Sequence, residues 1–141
     1  MEDAPVTPRT IYLARLFGLG LLLMCGLFAV RPDAYLPAIQ SMTVNPGLLL
    51  IAGISALFGG LAMVIGHNRW SGGALTVVVT TLGWLSLIKG LAILALPPQA
   101  LAAVYGWMGY PSSFHLVMAA VALAGLWLTW AAFRAKPAPG T

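Results

Sequence analysis

Four apolar runs decide what this chain can become: Ile11–Val30, Leu48–Gly66, Ala74–Leu96 and Phe114–Phe133. Each is about 20 residues long, which at 1.5 Å per residue matches a hydrocarbon layer of roughly 30 Å. A water-soluble domain must cover its core with polar groups. Here 60% of the 141 residues are hydrophobic and only 7% are charged, and the mean hydropathy is +0.94. The period-2 alternation of a lipid-embedded β-barrel is absent. The expectation is an all-α fold, a four-helix transmembrane bundle.

Helix breakers punctuate the runs. Residues 1–10 (MEDAPVTPRT) read as a polar, disordered tail. The run behind them is too long for a signal-peptide core, lacks an A-x-A-like cleavage site, and follows the acidic Glu2 and Asp3, so it reads as a retained first span. That span stops at Arg31-Pro32, and Asn45-Pro46 is a helix-start signal, with Asn as the cap and Pro in the first turn. Between them Tyr35, Leu36, Ile39 and Met42 recur at helical spacing, which predicts a short amphipathic segment in the membrane interface. The turn His67–Gly73 brings Arg69 and Trp70 to headgroup level. Span three stops at Pro97-Pro98, Gln99–Tyr110 is a second apolar and aromatic segment, and Pro111-Ser112-Ser113 restarts the helix. The expected organisation is a two-span unit over 11–66, a turn over 67–73, a second unit over 74–134 and a tail over 135–141.

The net charge of +4 does not point to nucleic acid, because the basic residues are scattered and most sit at span ends. Arg9, Arg15, Arg69, Arg134 and Lys136 fall on the side of the two termini, against Arg31 on the other. The positive-inside rule then places both termini in the cytoplasm. The one cysteine, Cys25, has no thiol to pair with and reads as a small packing residue.

The two units look like copies of each other. An offset of 65 residues carries Gly18 onto Gly83, Pro32 onto Pro97, Pro46 onto Pro111 and Gly60-Leu61 onto Gly125-Leu126. Only eight positions over Ala14–Leu61 are identical at that offset, so the coincidence of breakers carries the argument. Each unit is helix, interfacial segment, helix, and two crossings per unit give both the same orientation. A small-xxx-small pattern survives the offset, Ser55 and Gly59 in span two, Ala120 and Ala124 in span four. These four residues are expected to form packing ridges inside the bundle.

Lys89 is the only full charge deep in apolar sequence. It lies eight residues before Pro97, roughly 12 Å along the helix. A charge at the bilayer centre costs about 2.5–3.5 kcal/mol, so partners are sought. Ser86 shares its helix face, Ser55 and His115 lie at similar depth, and Asp33 is the one carboxylate outside the N-terminal tail. Together the five are a candidate polar pocket for an anionic substrate or a lipid headgroup. The plainer reading is a lysine that snorkels to the outer headgroups.

Catalytic constellations are missing: no paired carboxylates within the spans, no Ser/His/Asp set, no Gly-rich phosphate loop. His67 closes span two and His115 opens span four, at opposite faces and more than about 20 Å apart, so no metal or cofactor is expected between them. Trp70, Trp107 and Trp130 suit the interfacial belts, while Trp84 and Trp127 are expected deeper, as packing residues.

The pattern H-N-x-W at 67–70, G-W at 83–84, K-G at 89–90 and Pro97 resembles a recurring family of small, uncharacterised bacterial four-helix integral membrane proteins. The match covers about 30 residues. The resemblance implies a multi-pass protein of the bacterial cytoplasmic (inner) membrane and carries no activity with it. Two functions follow from the residues. The first is a non-enzymatic accessory, assembly or lipid-organising module, working as a homo-oligomer or inside a larger membrane complex, with anionic lipid as a candidate partner. The alternative is a small transporter or channel with Lys89 near its path.

Overall fold

The computed structural model describes residues 6–107 and 112–137. Six helices follow one another: α1 (Pro8–Val30), α2 (Pro32–Val44), α3 (Pro46–Gly66), α4 (Ala74–Ala95), α5 (Pro98–Trp107) and α6 (Phe114–Arg134). No strand occurs among the described residues. Helices α1, α3, α4 and α6 are each long and apolar enough to cross a bilayer, and the chain is a multi-pass, four-helix membrane protein. One end of the bundle holds both termini and the α3–α4 turn. The opposite end holds α2 and α5.

Helix boundaries follow local chemistry. Asn45 Oδ1 accepts from the amides of Gly47 (3.0 Å) and Leu48 (3.2 Å), with Pro46 in the first turn, as the sequence predicts. Helix α1 starts earlier than expected, at Pro8. Thr7 caps α1 by accepting from the Thr10 amide at 3.3 Å, and Pro8 sits in the first turn with no amide to leave unpaired. Val6 is buried and forms an isolated backbone bridge with Pro137. Residues 6–10 are therefore ordered, which corrects the expectation of a disordered tail; Glu2 and Asp3 lie outside the described residues.

The expected interfacial segments are helices α2 and α5, which touch each other, and α2 also packs on α3. At that end Leu49, Ile93 and Leu101 bury one another, so α3, α4 and α5 meet there. Leu36, Ile39 and Met42, which carry the predicted spacing of α2, have side chains outside the described set.

Packing divides the four long helices into two pairs, α3 with α4 and α1 with α6. The pairing is made at glycines. In α3 and α4 these recur every seventh residue, Gly53 and Gly60 on one helix, Gly83 and Gly90 on the other. A Cβ on Gly60 would collide with the backbone of Leu87, and one on Gly90 with the backbone of Leu57. Gly83 lies against the Met63 side chain and Gly53 against Leu94. In the other pair a Cβ on Gly18 would come within 2.8 Å of the Thr129 amide nitrogen, and Gly125 faces Leu21 and Leu22. Lipid supplies no hydrophobic drive for helices to associate, so van der Waals contact along seams of this kind holds the pairs.

This corrects the expected ridges. Ser55, Gly59, Ala120 and Ala124 are all exposed, and nothing lies within 4 Å of a Cβ built on Gly59. Spans two and four are not neighbours across the interior; each pairs with an odd span of the other half. The physical reason is the seven-residue turn, His67–Gly73, which forces α3 beside α4. The α3 face that matches the glycines of α4 must then turn inward, and the neighbouring small residues turn to lipid.

The two pairs meet through α1 and α4, mainly at the terminal end. Ile11, Ala14, Met63, Leu75, Val79, Leu128 and Ala132 form one buried cluster there, flanked by Phe17, Leu21, Val78 and Leu82. Further along, Met24, Leu27, Leu85, Ile88 and Lys89 are exposed. The two pairs are thus joined at one end and less covered toward the other.

Candidate functional site

Polar structure concentrates at the terminal end. The buried polar side chains among the described residues are Thr10, His67, Thr76 and Thr80, and all four lie there. Helix α4 starts about two turns beyond the end of α3, so the α3–α4 turn has to climb along the side of α4. Gly72 (φ 108°) and Gly73 (φ 93°) make the final bend in a backbone region that side chains disfavour.

Thr80 staples this turn. Its hydroxyl accepts from the Arg69 amide at 3.3 Å and lies 2.7 Å from the Arg69 carbonyl oxygen, to which it donates. Asn68 Oδ1 accepts from two indoles, Trp70 at 3.0 Å and Trp84 at 3.3 Å. Trp84 is therefore tied to the turn and not sunk among the helices, because the turn folds back along α4 to reach it. Trp127 is 39% exposed and is likewise no deep packing residue.

His67 ends α3 and is 3% exposed, and its Nε2 has no hydrogen-bond partner. Burial pushes its pKa below the usual 6.5; the Thr76 backbone pulls it up, and the charges of Arg69 and Arg9 push it further down. Arg9 donates to the Gly66 carbonyl at 2.9 Å, and Arg15 donates to the Ala132 carbonyl at 3.4 Å. Both arginines of α1 thus serve the carbonyl ends of its neighbours, where the helix dipole favours a cation. The Arg15 guanidinium also lies 4.5 Å from the Phe133 ring centre.

A cavity of about 280 Å³ opens at this end. Its walls are Val6, the Gly72–Leu75 segment and the last two turns of α6, with Trp127, Trp130, Arg134 and Lys136 on the α6 side. The Arg134 guanidinium stacks 4.4 Å from the Trp130 ring centre, a contact worth about 0.5–1 kcal/mol at an exposed site. A second cavity, about 250 Å³, lies between α1 and α6 near the opposite end and is lined by Cys25, Phe28, Phe114, His115 and Met118.

The five residues of the predicted polar pocket are not bonded to one another among the described residues. Ser86 is half-buried and donates to the Ala56 carbonyl at 3.0 Å, tying α4 to α3. Ser55, beside Ala56, is exposed. His115 is exposed on the second cavity and meets Phe114 edge-on at 5.6 Å. Asp33 is exposed in the first turn of α2. Lys89 is exposed where α1 and α4 no longer cover each other. No hydrogen bond or ion pair joins any two of the five among the described residues, and His115 is the only one on the second cavity.

Sequence reasoning missed both the buried imidazole and the terminal cavity. The seven-residue repeat of Gly53, Gly60, Gly83 and Gly90 was a readable signal for the seam. The cavity has none, because its walls come from three distant stretches of chain.

Fold and site together define a polytopic membrane protein whose polar chemistry sits at one end, around a tightly bonded turn. Compared with known protein families, curated proteins and solved structures, the chain matches none.

Proposed function

We propose that this chain is a non-catalytic component of a bacterial cytoplasmic membrane that acts by association, as an accessory, assembly or lipid-organising module. One observation carries the reading. The small residues Ser55 and Gly59 of α3, and Ala120 and Ala124 of α6, face out of the molecule while other glycines make its internal seams. An outward ridge of small residues lets a second helix approach closely, which is how helices associate where there is no water to expel. The cytoplasmic placement of both termini is supported by the cations at that end, Arg9, Arg15, Arg69, Arg134 and Lys136, against Arg31 at the other. The tandem-duplication reading gains support from the two helix pairs. The 65-residue offset that carries α1–α2–α3 onto α4–α5–α6 also exchanges the α1·α6 pair with the α3·α4 pair.

The test is disulfide cross-linking in native membranes on a Cys25→Ala background. Single cysteines at Ser55 and Gly59 should give cross-linked dimers, and one at Gly20, exposed on α1, should not. A chain that stays monomeric at all three positions, and purifies without a partner, overturns the proposal. In the same background Lys89→Met should leave assembly unchanged.

A further inference from the structure

We propose that the cavity at the terminal end binds the phosphate headgroup of an anionic phospholipid, with Arg134 as its principal contact. The inference deepens the lipid-organising arm of the reading above and takes from it that this end lies in a headgroup layer.

Four observations converge on it. The cavity, about 280 Å³, falls just below the range for small-ligand sites, roughly 300–1,000 Å³, which suits a headgroup better than a whole lipid. Its lining is two-natured: the indoles of Trp127 and Trp130, and the exposed cations Arg134 and Lys136. Lipid presents the same order across the boundary, with apolar chain beneath an anionic phosphate, and indoles concentrate at that level.

The third observation separates Arg134 from the other cations of that end. Arg9 and Arg15 spend donors on the Gly66 and Ala132 carbonyls. Arg134 makes no hydrogen bond or ion pair among the described residues, and its guanidinium carbon lies over the Trp130 ring, 4.4 Å from its centre. A guanidinium set against a ring with its donors free can make two parallel bonds to a phosphate. The fourth is charge balance. The described residues of this end carry five cations, which outnumber the two acids of the N-terminal tail, Glu2 and Asp3, while Asp33 is in α2 at the other end.

The site is also built and not a chance gap. The Val6–Pro137 bridge ties the start of the chain to the segment carrying Lys136, so one wall is pinned across the two termini.

The test is native mass spectrometry of the purified full-length chain, released from a neutral detergent with phosphatidylglycerol, phosphatidylcholine or inorganic phosphate present. The wild-type chain should retain phosphatidylglycerol about tenfold more tightly than phosphatidylcholine, a difference of about 1.4 kcal/mol. Arg134→Gln should remove that preference, and Arg134→Lys should keep part of it, because charge survives and the planar fork does not. Arg69→Gln deletes an equal charge at the same end but off the cavity wall, and should change retention by less than about twofold. Equal losses in Arg134→Gln and Arg69→Gln would mean a diffuse field and no site, and would overturn the proposal. Retention of inorganic phosphate with no preference for lipid would overturn the lipid assignment. Circular dichroism checks that each variant stays helical. The readout uses the isolated chain, so a monomeric result in the cross-linking experiment leaves it standing.

Discussion

His67 and Thr80 show how much one side chain decides at the terminal end. The imidazole is buried with Nε2 unpaired, and two arginine charges stand close enough to repel its protonated form. Its folded pKa is depressed, so the unfolded chain binds the proton more readily than the folded one. Stability should then be full above about pH 6.5 and fall as the pH drops below that value toward the lower folded pKa. Thermal unfolding in detergent between pH 5 and pH 8 reads this directly, and His67→Gln should flatten the dependence. Thr80→Val keeps the shape and removes the hydroxyl that serves both polar groups of Arg69. Leaving a buried donor or acceptor unmet costs about 1–3 kcal/mol, so this variant should unfold at a lower temperature with its helix content intact. Neither role could be read from sequence. A histidine and a threonine near a turn are usually solvated, and what buries these two is the overhang of α4 past the end of α3.

The helices themselves were almost fully legible. Length, apolarity and the breakers at Pro32, Pro46 and Pro97-Pro98 located all four spans, because a backbone in lipid must satisfy its hydrogen bonds within the helix. Which face of each helix turns inward was not legible. Gly59 and Gly60 are adjacent, yet one meets lipid and the other the backbone of Leu87. Gly60→Ala and Gly90→Ala put a methyl group into facing backbone and should each lower the unfolding temperature strongly, whereas Gly59→Ala should be neutral or slightly stabilising through helix propensity. Unfolding of the three variants side by side in one detergent checks the seam. Equal tolerance at Gly59 and Gly60 would contradict packing of α3 on α4 through Gly60.

For the whole molecule, two glycine-seamed pairs are joined at one end by an apolar cluster and topped at the other by α2 and α5. Leu128→Ala and Val79→Ala, both at fully buried positions of that cluster, should loosen the pairs from each other at a cost of about 1–5 kcal/mol. Hydrogen exchange along α1 should rise in these variants before it rises along the α3–α4 seam. The sequence by itself determined the all-helical class, the four crossings and the stops between them, since each depends on a local run of residues and on the thickness of a bilayer. Only the tertiary structure decided that span two pairs with span three, that Ser55, Gly59, Ala120 and Ala124 look outward, and that the Ser86 hydroxyl bonds the Ala56 carbonyl and not Lys89. Those outcomes turn on which helix faces meet, and a rotation of about 100° per residue makes neighbours in sequence strangers in space.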